Sequence, residues 1–314
     1  MPGFRLLFCN DMDKIIRCVT TDGSLMVSSI DSSDIVYTAQ ELHGLTKTTG
    51  AAFGRLLTAA SMMGAMLKFE KSSVTIKVDG GGPIGSMLVQ GDSKGNVRGY
   101  LDHPEIDLPT RQTDGKIDVG AAVGSDGMLS VVRDEGQGEP YIGKVELVSG
   151  EIAEDITNYC VRSEQIPTLC ALGVLTNKDT GKVMLSGGLM IQVLPGADDN
   201  AITAVEQNVS QMDSVTTMLA KGISPFEMCK IALNGFELDV LDEFEIHYVC
   251  DCSKDKFGKM MLTLGADEIR NLPLVKDDMA ETACPYCNRK YYFSREDLDK
   301  LALEAEQNKL KISS

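Results

Sequence analysis

Apolar and polar residues alternate along SVTIKVDG, residues 73–80. Val74, Ile76 and Val78 fall on one face, which predicts a half-buried strand. SMLVQGD, NVRGYLD, GMLSVVRDEG and YIGKVELVS repeat the theme with Gly and Asp turns between them, and short turn-linked strands favour antiparallel pairing. The period then becomes helical in SGEIAEDITNYCVRSEQ. Ile152, Ile156 and Tyr159 form its apolar stripe, Ser149 stands at the expected N-cap, and Glu151, Glu154 and Asp155 complement the helix dipole. TLCALGVLT and KVMLSGGLMIQVLP return to strands around a turn. Residues 1–195 are therefore expected to form an α+β core domain, a mixed α/β body with a largely antiparallel sheet.

Residues 196–245 read differently. The β pattern fades and the segment holds ten acids (Asp198, Asp199, Glu206, Asp213, Glu227, Glu237, Asp239, Asp242, Glu243, Glu245) against two bases, Lys221 and Lys230. In SPFE, Ser224 is a predicted N-cap, Pro225 suits the first helical position, and Glu227 completes a capping box; Gly235 can end that helix. An acidic helical linker is expected. It repels itself and is held by docking of apolar positions such as Ile223, Phe226, Met228, Ile231 and Leu233.

Residues 246–314 carry two tight cysteine pairs, Cys250 with Cys252 and Cys284 with Cys287. Helix-compatible sequence separates them. KYYF follows as a strand, and Ser294 with Asp297 marks the start of a last helix. A pair spaced by one or two residues presents two sulfurs to one ion, and two pairs complete the tetrahedron of a structural zinc site. A small C-terminal zinc-binding domain is expected, with His247 a neighbour rather than a ligand. The alternative is a thiol-disulfide oxidoreductase using CPYC. That chemistry wants its first cysteine at a helix N-terminus, and it leaves Cys250 and Cys252 unexplained.

Composition narrows the function. The first residues, MPGFRLLFCNDMDK, hold too short an apolar run for a secretory signal, so a cytoplasmic location is expected. GAAFGRLLTAASMMGAML, residues 50–67, reaches membrane length but contains Arg55, and a buried core helix is expected instead. In a reducing compartment stable disulfides are rare, so tight thiol clusters point to metal or redox chemistry. Cys9, Cys18, Cys160, Cys170 and Cys229 are scattered singly and are expected to be buried small hydrophobes without close partners. A net charge of −16 argues against a nucleic-acid partner. Gly80-x-Gly82-x-x-Gly85 lacks the following helix that a dinucleotide fingerprint needs, and a tight turn is expected there. His43, His103 and His247 stand beside no nucleophile motif and are expected to be structural, so an enzyme is not expected.

The C-x-C, a spacer near thirty residues and the C-x-x-C resemble the redox switch of the 33 kDa heat-shock holdase family, also called the 33 kDa chaperonin. GRLLTAASMMGAMLK, GKIDVGAAVG, EPYIGKVELVSGEIAED, SEQIPTLCALGVL and GGLMIQVLPGA resemble that family's strongest blocks, in order. The resemblance covers nearly the whole chain; the PY within the last pair departs mildly from the usual filling. It implies an ATP-independent chaperone whose reduced form binds one zinc ion through Cys250, Cys252, Cys284 and Cys287. It further implies that oxidation makes Cys250–Cys252 and Cys284–Cys287 disulfides, that zinc leaves and the C-terminal region and linker unfold, and that the protein dimerises and binds unfolding clients. No membrane partner is implied.

Overall fold

The computed structural model describes residues 13–275 and 277–312. The elements run β1 (Lys14–Thr20), β2 (Leu25–Asp31), α1 (Ser33–His43), α2 (Lys47–Ala65), β3 (Ser73–Asp79), β4 (Met87–Asp92), β5 (Val97–Leu101), α3 (Val119–Val123), β6 (Met128–Asp134), β7 (Tyr141–Glu146), α4 (Ala153–Arg162), β8 (Thr168–Thr176) and β9 (Val183–Val193). They continue through α5 (Asp199–Gln211), α6 (Val215–Ala220), α7 (Pro225–Ala232), β10 (Leu238–Glu245), α8 (Lys254–Met261), α9 (Ala266–Arg270), β11 (Met279–Ala283), β12 (Lys290–Ser294) and α10 (Arg295–Ile312). The chain divides into two compact units, Met1–Val249 and Cys250–Ser314.

In the first unit two five-stranded sheets, ordered β10-β1-β2-β9-β8 and β5-β4-β3-β6-β7, are antiparallel at every named pairing. Helix α2 packs against strands of both. All its residues except Lys47 and Arg55 are buried, and its small residues explain how it fits so closely. A Cβ added at Gly64 would stand 2.4 Å from the Asp92 carbonyl oxygen, and one at Gly91 would stand 2.3 Å from that of Ala60. The one charge inside its apolar run is neutralised: Arg55 reaches Glu151 at 2.5 Å, and Arg111 takes the other oxygen of Glu151 at 3.0 Å. No helix among the described residues is long and apolar enough to cross a membrane.

Helix α4 forms where the stripe Ile152, Ile156 and Tyr159 places it, but its start differs from expectation. Ser149 is not the cap; Asp155, wholly buried, accepts from the backbone N–H groups of Val148, Ser149 and Ile152 at 2.7, 3.2 and 3.2 Å. A carboxylate can satisfy several orphan donors at once, which a hydroxyl one turn earlier cannot.

The acidic segment lies on the first sheet. Ile16, Cys18, Leu25, Val27, Leu189 and Ile191, on β1, β2 and β9, form an apolar cluster with Ala201, Val205, Val215, Met218, Leu219, Met228, Cys229, Ala232 and Leu233 of the α5–α7 region. The capping box at Ser224 and Glu227 forms, with Pro225 in the first turn. The wholly helical linker expected over 196–245 needs correction at its end. Leu238–Glu245 is strand β10, paired along β1 with a register shift at Arg17/Cys18. Its acids find bases across the pair, Asp242 with Arg17 at 3.3 Å and Glu243 with Lys14 at 3.4 Å. Charged residues are normal on an edge strand, so acidity there was not evidence for helix.

The second unit is small. Its core consists of Ile269, Ala280, Phe293, Leu298, Ala302 and Ala305, with Phe257, Met261, Leu262, Leu272, Leu274, Tyr291 and Leu301 packed around them. Helices α8 and α9, joined by a short 3-10 turn, precede the β11–β12 hairpin, and α10 follows directly. Ser294 and Asp297 exchange the expected reciprocal capping bonds at 3.0 and 3.2 Å.

Candidate metal centre

Two short segments place the four clustered cysteines. Cys250 and Cys252 lie just before α8, whose N-cap Ser253 accepts from the Lys256 N–H at 3.2 Å. Cys284 and Cys287 lie in the turn between β11 and β12. That turn is closed by the Cys284 N–H to the Arg289 carbonyl at 2.9 Å and the Asn288 N–H to the Cys284 carbonyl at 2.8 Å. Asn288 adopts a left-handed conformation (φ 56°), which asparagine tolerates better than most residues.

The four sulfurs lie within 4.8 Å of one another. Close contacts run across the two sequence pairs, Cys250 to Cys284 at 3.6 Å and Cys252 to Cys287 at 3.4 Å. A regular tetrahedron with Zn–S arms of ~2.3 Å has edges of ~3.8 Å, so the spacing fits a four-thiolate zinc site. Cys284 is buried and the other three are half-buried; His247 is not part of the group. The electrostatics fit the same reading. Burial pushes the Cys250 thiol up to about 12 and raises that of Cys287. Burial also opposes ionisation at Cys252, but hydrogen bonds from Tyr291 and the neighbouring thiols outweigh it and bring that thiol down to about 7. The cluster alone thus favours one thiolate over several, and a divalent cation would let four coexist. Tyr291 donates to Cys252 Sγ at 3.1 Å, a supporting contact of the kind that orients metal ligands.

A family model described as Hsp33 protein matches residues 13–294. The chain belongs to the Hsp33 family. A 33 kDa chaperonin of Bacillus licheniformis is 41% identical over 290 residues, covering 92% of this chain and 99% of the relative. One from Acetivibrio thermocellus is 41% identical over 297 residues, covering 95% and 99%. The crystal structure of a 33 kDa chaperonin, a heat shock protein 33 homologue from Thermotoga maritima, superposes with a TM-score of 0.84 at 31% identity, covering 97% of this chain and all of that one. The mixed antiparallel fold is therefore that of an Hsp33 protein.

Other candidates resolve against this Hsp33 fold. CPYC is followed by strand β12 and not by a helix, so Cys284 lacks the helix N-terminus that would activate it in an oxidoreductase. The Gly80–Gly85 turn is filled by the α3 backbone. Gly82 and Ile84 donate to the Val123 and Ala122 carbonyls at 2.9 and 3.1 Å, leaving no phosphate cradle there. Of the single cysteines, Cys9 lies outside the described residues. Cys160 is buried and its thiol is pushed up to about 12, chiefly by burial; Cys170 is raised for the same reason. Cys18 and Cys229 are wholly buried, as expected, in the apolar cluster between the first sheet and the α5–α7 region.

Proposed function

We propose that the chain is a redox-regulated, ATP-independent holdase. The supporting observation is the four-sulfur cluster at the head of a small C-terminal unit in an Hsp33-family chain. Cys250, Cys252, Cys284 and Cys287 are the proposed ligands of one zinc ion per chain in the reduced form. These four thiolates would hold the ion, and a structural zinc site of this kind would contribute ~10–16 kcal/mol of apparent binding free energy to the unit, against ~5–15 kcal/mol for the whole stability of an ordinary domain. A unit with so small an apolar core depends on such a staple.

Oxidation removes the ligands. With peroxide as oxidant, each pair of thiolates loses two electrons, the O–O bond breaks, an S–S bond forms and two hydroxides leave. We assign the disulfides to near neighbours, Cys250–Cys252 and Cys284–Cys287. Disulfide sulfurs are poor zinc ligands, so the unit loses its staple and unfolds. The acidic segment 196–245, continuous in sequence with Cys250, is the proposed second part to leave, which keeps the three-part division 1–195, 196–245 and 246–314 as the functional one. Its departure would bare Ile16, Leu25, Val27, Leu189 and Ile191 on the sheet, and an apolar face of that size suits unfolding client proteins. A homodimer is proposed for the active form and the cytoplasm for its location.

The test is suppression of aggregation of a thermally unfolding protein, without ATP, by the reduced and the peroxide-treated chain. Suppression only after oxidation supports the proposal. Catalytic turnover of dithiol and disulfide substrates without suppression would instead favour the oxidoreductase alternative.

A further inference from the structure

Among the described residues β10 is an outer strand of the first sheet, and β1 lies between β10 and β2. The two neighbours differ in sequence. β1 is KIIRCVT, with two bases, no acid and no proline, and its Ile15, Ile16, Val19 and Thr20 are good strand formers. β10 is LDVLDEFE, half of it acids, and it bulges: Arg17 pairs with Asp242 and Cys18 with Val240, so Leu241 stands opposite no residue of β1. Acids and a bulge blunt an outer strand against pairing with other chains, whereas a regular apolar strand without them recruits other strands. β10 thus guards the edge of β1.

We propose that β1 is a strand-addition site: once β10 leaves, its bared edge takes an extended segment of an unfolding client protein as a new outer strand. This rests on the reading of 196–245 as the segment that leaves, and it adds main-chain capture to the apolar face that the same departure bares. A folded protein has its backbone groups paired already, so an edge of this kind selects unfolded chains.

The seated β10 shows what the edge accepts. Its Asp239, Val240, Leu241, Glu243 and Glu245 are exposed, so the backbone carries most of the attachment. Its apolar anchors are half-buried, Leu238 against the α5–α7 cluster and Phe244 against the cluster around α2. Thr21 donates its N–H to the Glu237 carbonyl at 3.0 Å, and Ile246 donates to the Asp13 carbonyl at 3.0 Å. Alternation along an antiparallel pair then turns the N–H groups of Ile15, Arg17 and Val19 toward β10, and those of Ile16 and Cys18 toward β2. Main-chain bonding is tolerant of sequence, which suits many clients. Charge adds a bias. Lys14 and Arg17 lose Glu243 and Asp242 when β10 leaves, while Arg17 still donates to the Ala65 carbonyl at the end of α2. A client segment with acids opposite these two bases is therefore favoured.

The experiment uses the full chain after peroxide treatment with mild heating. The client is reduced, carboxymethylated α-lactalbumin, which stays unfolded, and hydrogen exchange is read residue by residue. Without client the N–H groups of Ile15, Arg17 and Val19 should exchange fast, while those of Ile16 and Cys18 stay protected by β2. Bound client should slow the first three by at least about tenfold. A synthetic FELDVLDEFE peptide, residues 236–245, should compete with the client. The same peptide N-methylated along both edges keeps every side chain and charge but cannot form the ladder, and it should not compete. Client bound while the three amides still exchange fast, or equal effects of the two peptides, overturns strand addition and leaves the holdase reading standing. Amides already slow before client is added mean that β10 stays in place, which overturns the site. An oxidised chain that binds no client overturns both readings.

Discussion

The hydroxyl of Tyr291 donates a hydrogen bond of 3.1 Å to the sulfur of Cys252. Tyr291 also packs on Phe257 with ring centroids 5.2 Å apart, which ties a proposed ligand to the small C-terminal core. Tyr291→Phe keeps the ring and removes only the donor. Loss of a supporting contact of this kind typically lowers metal affinity by ~10–100-fold. Competition with a chromogenic chelator should show a loss in that range; unchanged affinity would mean that the hydroxyl does not tune the site.

Removing the metal should unfold one unit and spare the other. Among the described residues the apolar cluster of 250–314 has six buried members, whereas α2 and two sheets build the first unit. Treating the reduced chain with a strong chelator should open 250–314 to proteases while β1–β9 remain protected from hydrogen exchange. Cys284→Ser should behave the same way without chelator, since a hydroxyl replaces thiolate poorly. Tight, full zinc occupancy in that variant would reject the ligand set.

The docking of the acidic segment makes a graded prediction. Met228 and Leu233 are wholly buried against the sheet, Phe226 is partly buried, and Ile231 is 38% exposed despite its place in the apolar stripe. Met228→Ala and Leu233→Ala should each cost ~2–5 kcal/mol of docking, as large-to-small core changes do. Limited proteolysis of the reduced, zinc-loaded variants should then cut first within 197–245, with partial suppression of client aggregation. Ile231→Ser should change little. Equal effects at Met228 and Ile231 would contradict the docked geometry.

Asp13 gives the first unit a pH dependence with a defined sign. It is 5% exposed and accepts from the N–H groups of Asp34 and Ile35 at 2.9 and 2.7 Å. Burial, and then the charge of Asp31, outweigh those hydrogen bonds and push its carboxyl up to about 8. The folded state therefore holds this proton more tightly than the unfolded chain. Its contribution to stability is full below ~4, the ordinary Asp range, and is lost as pH rises through about 8. Thermal unfolding across this window should show the parent losing stability with rising pH more steeply than Asp13→Asn. Parallel curves would contradict the shift.

Much of this was legible from local pattern. Alternation marked Ser73–Asp79 as a strand, SPFE carried its own helix start, and two close cysteine pairs announced a four-thiol cluster, because each signal is complete within a few residues. What was not legible depends on partners distant in sequence. LDVLDEFE becomes a strand because β1 offers it an edge and two bases. Arg55 can sit inside a buried helix because Glu151 waits there. Asp155 displaced Ser149 as the cap of α4 because the chain folds back to bring three N–H groups to one carboxylate.

The central claim is that oxidation of four clustered thiols releases a metal and thereby creates a client-binding surface. The most direct test reads zinc content and suppression of client aggregation on one sample, before and after peroxide treatment with mild heating. The account predicts one zinc per chain and no suppression before oxidation, and matched loss of zinc and gain of suppression after it. Zinc retained through oxidation while suppression rises, or zinc lost with no suppression gained, would contradict it.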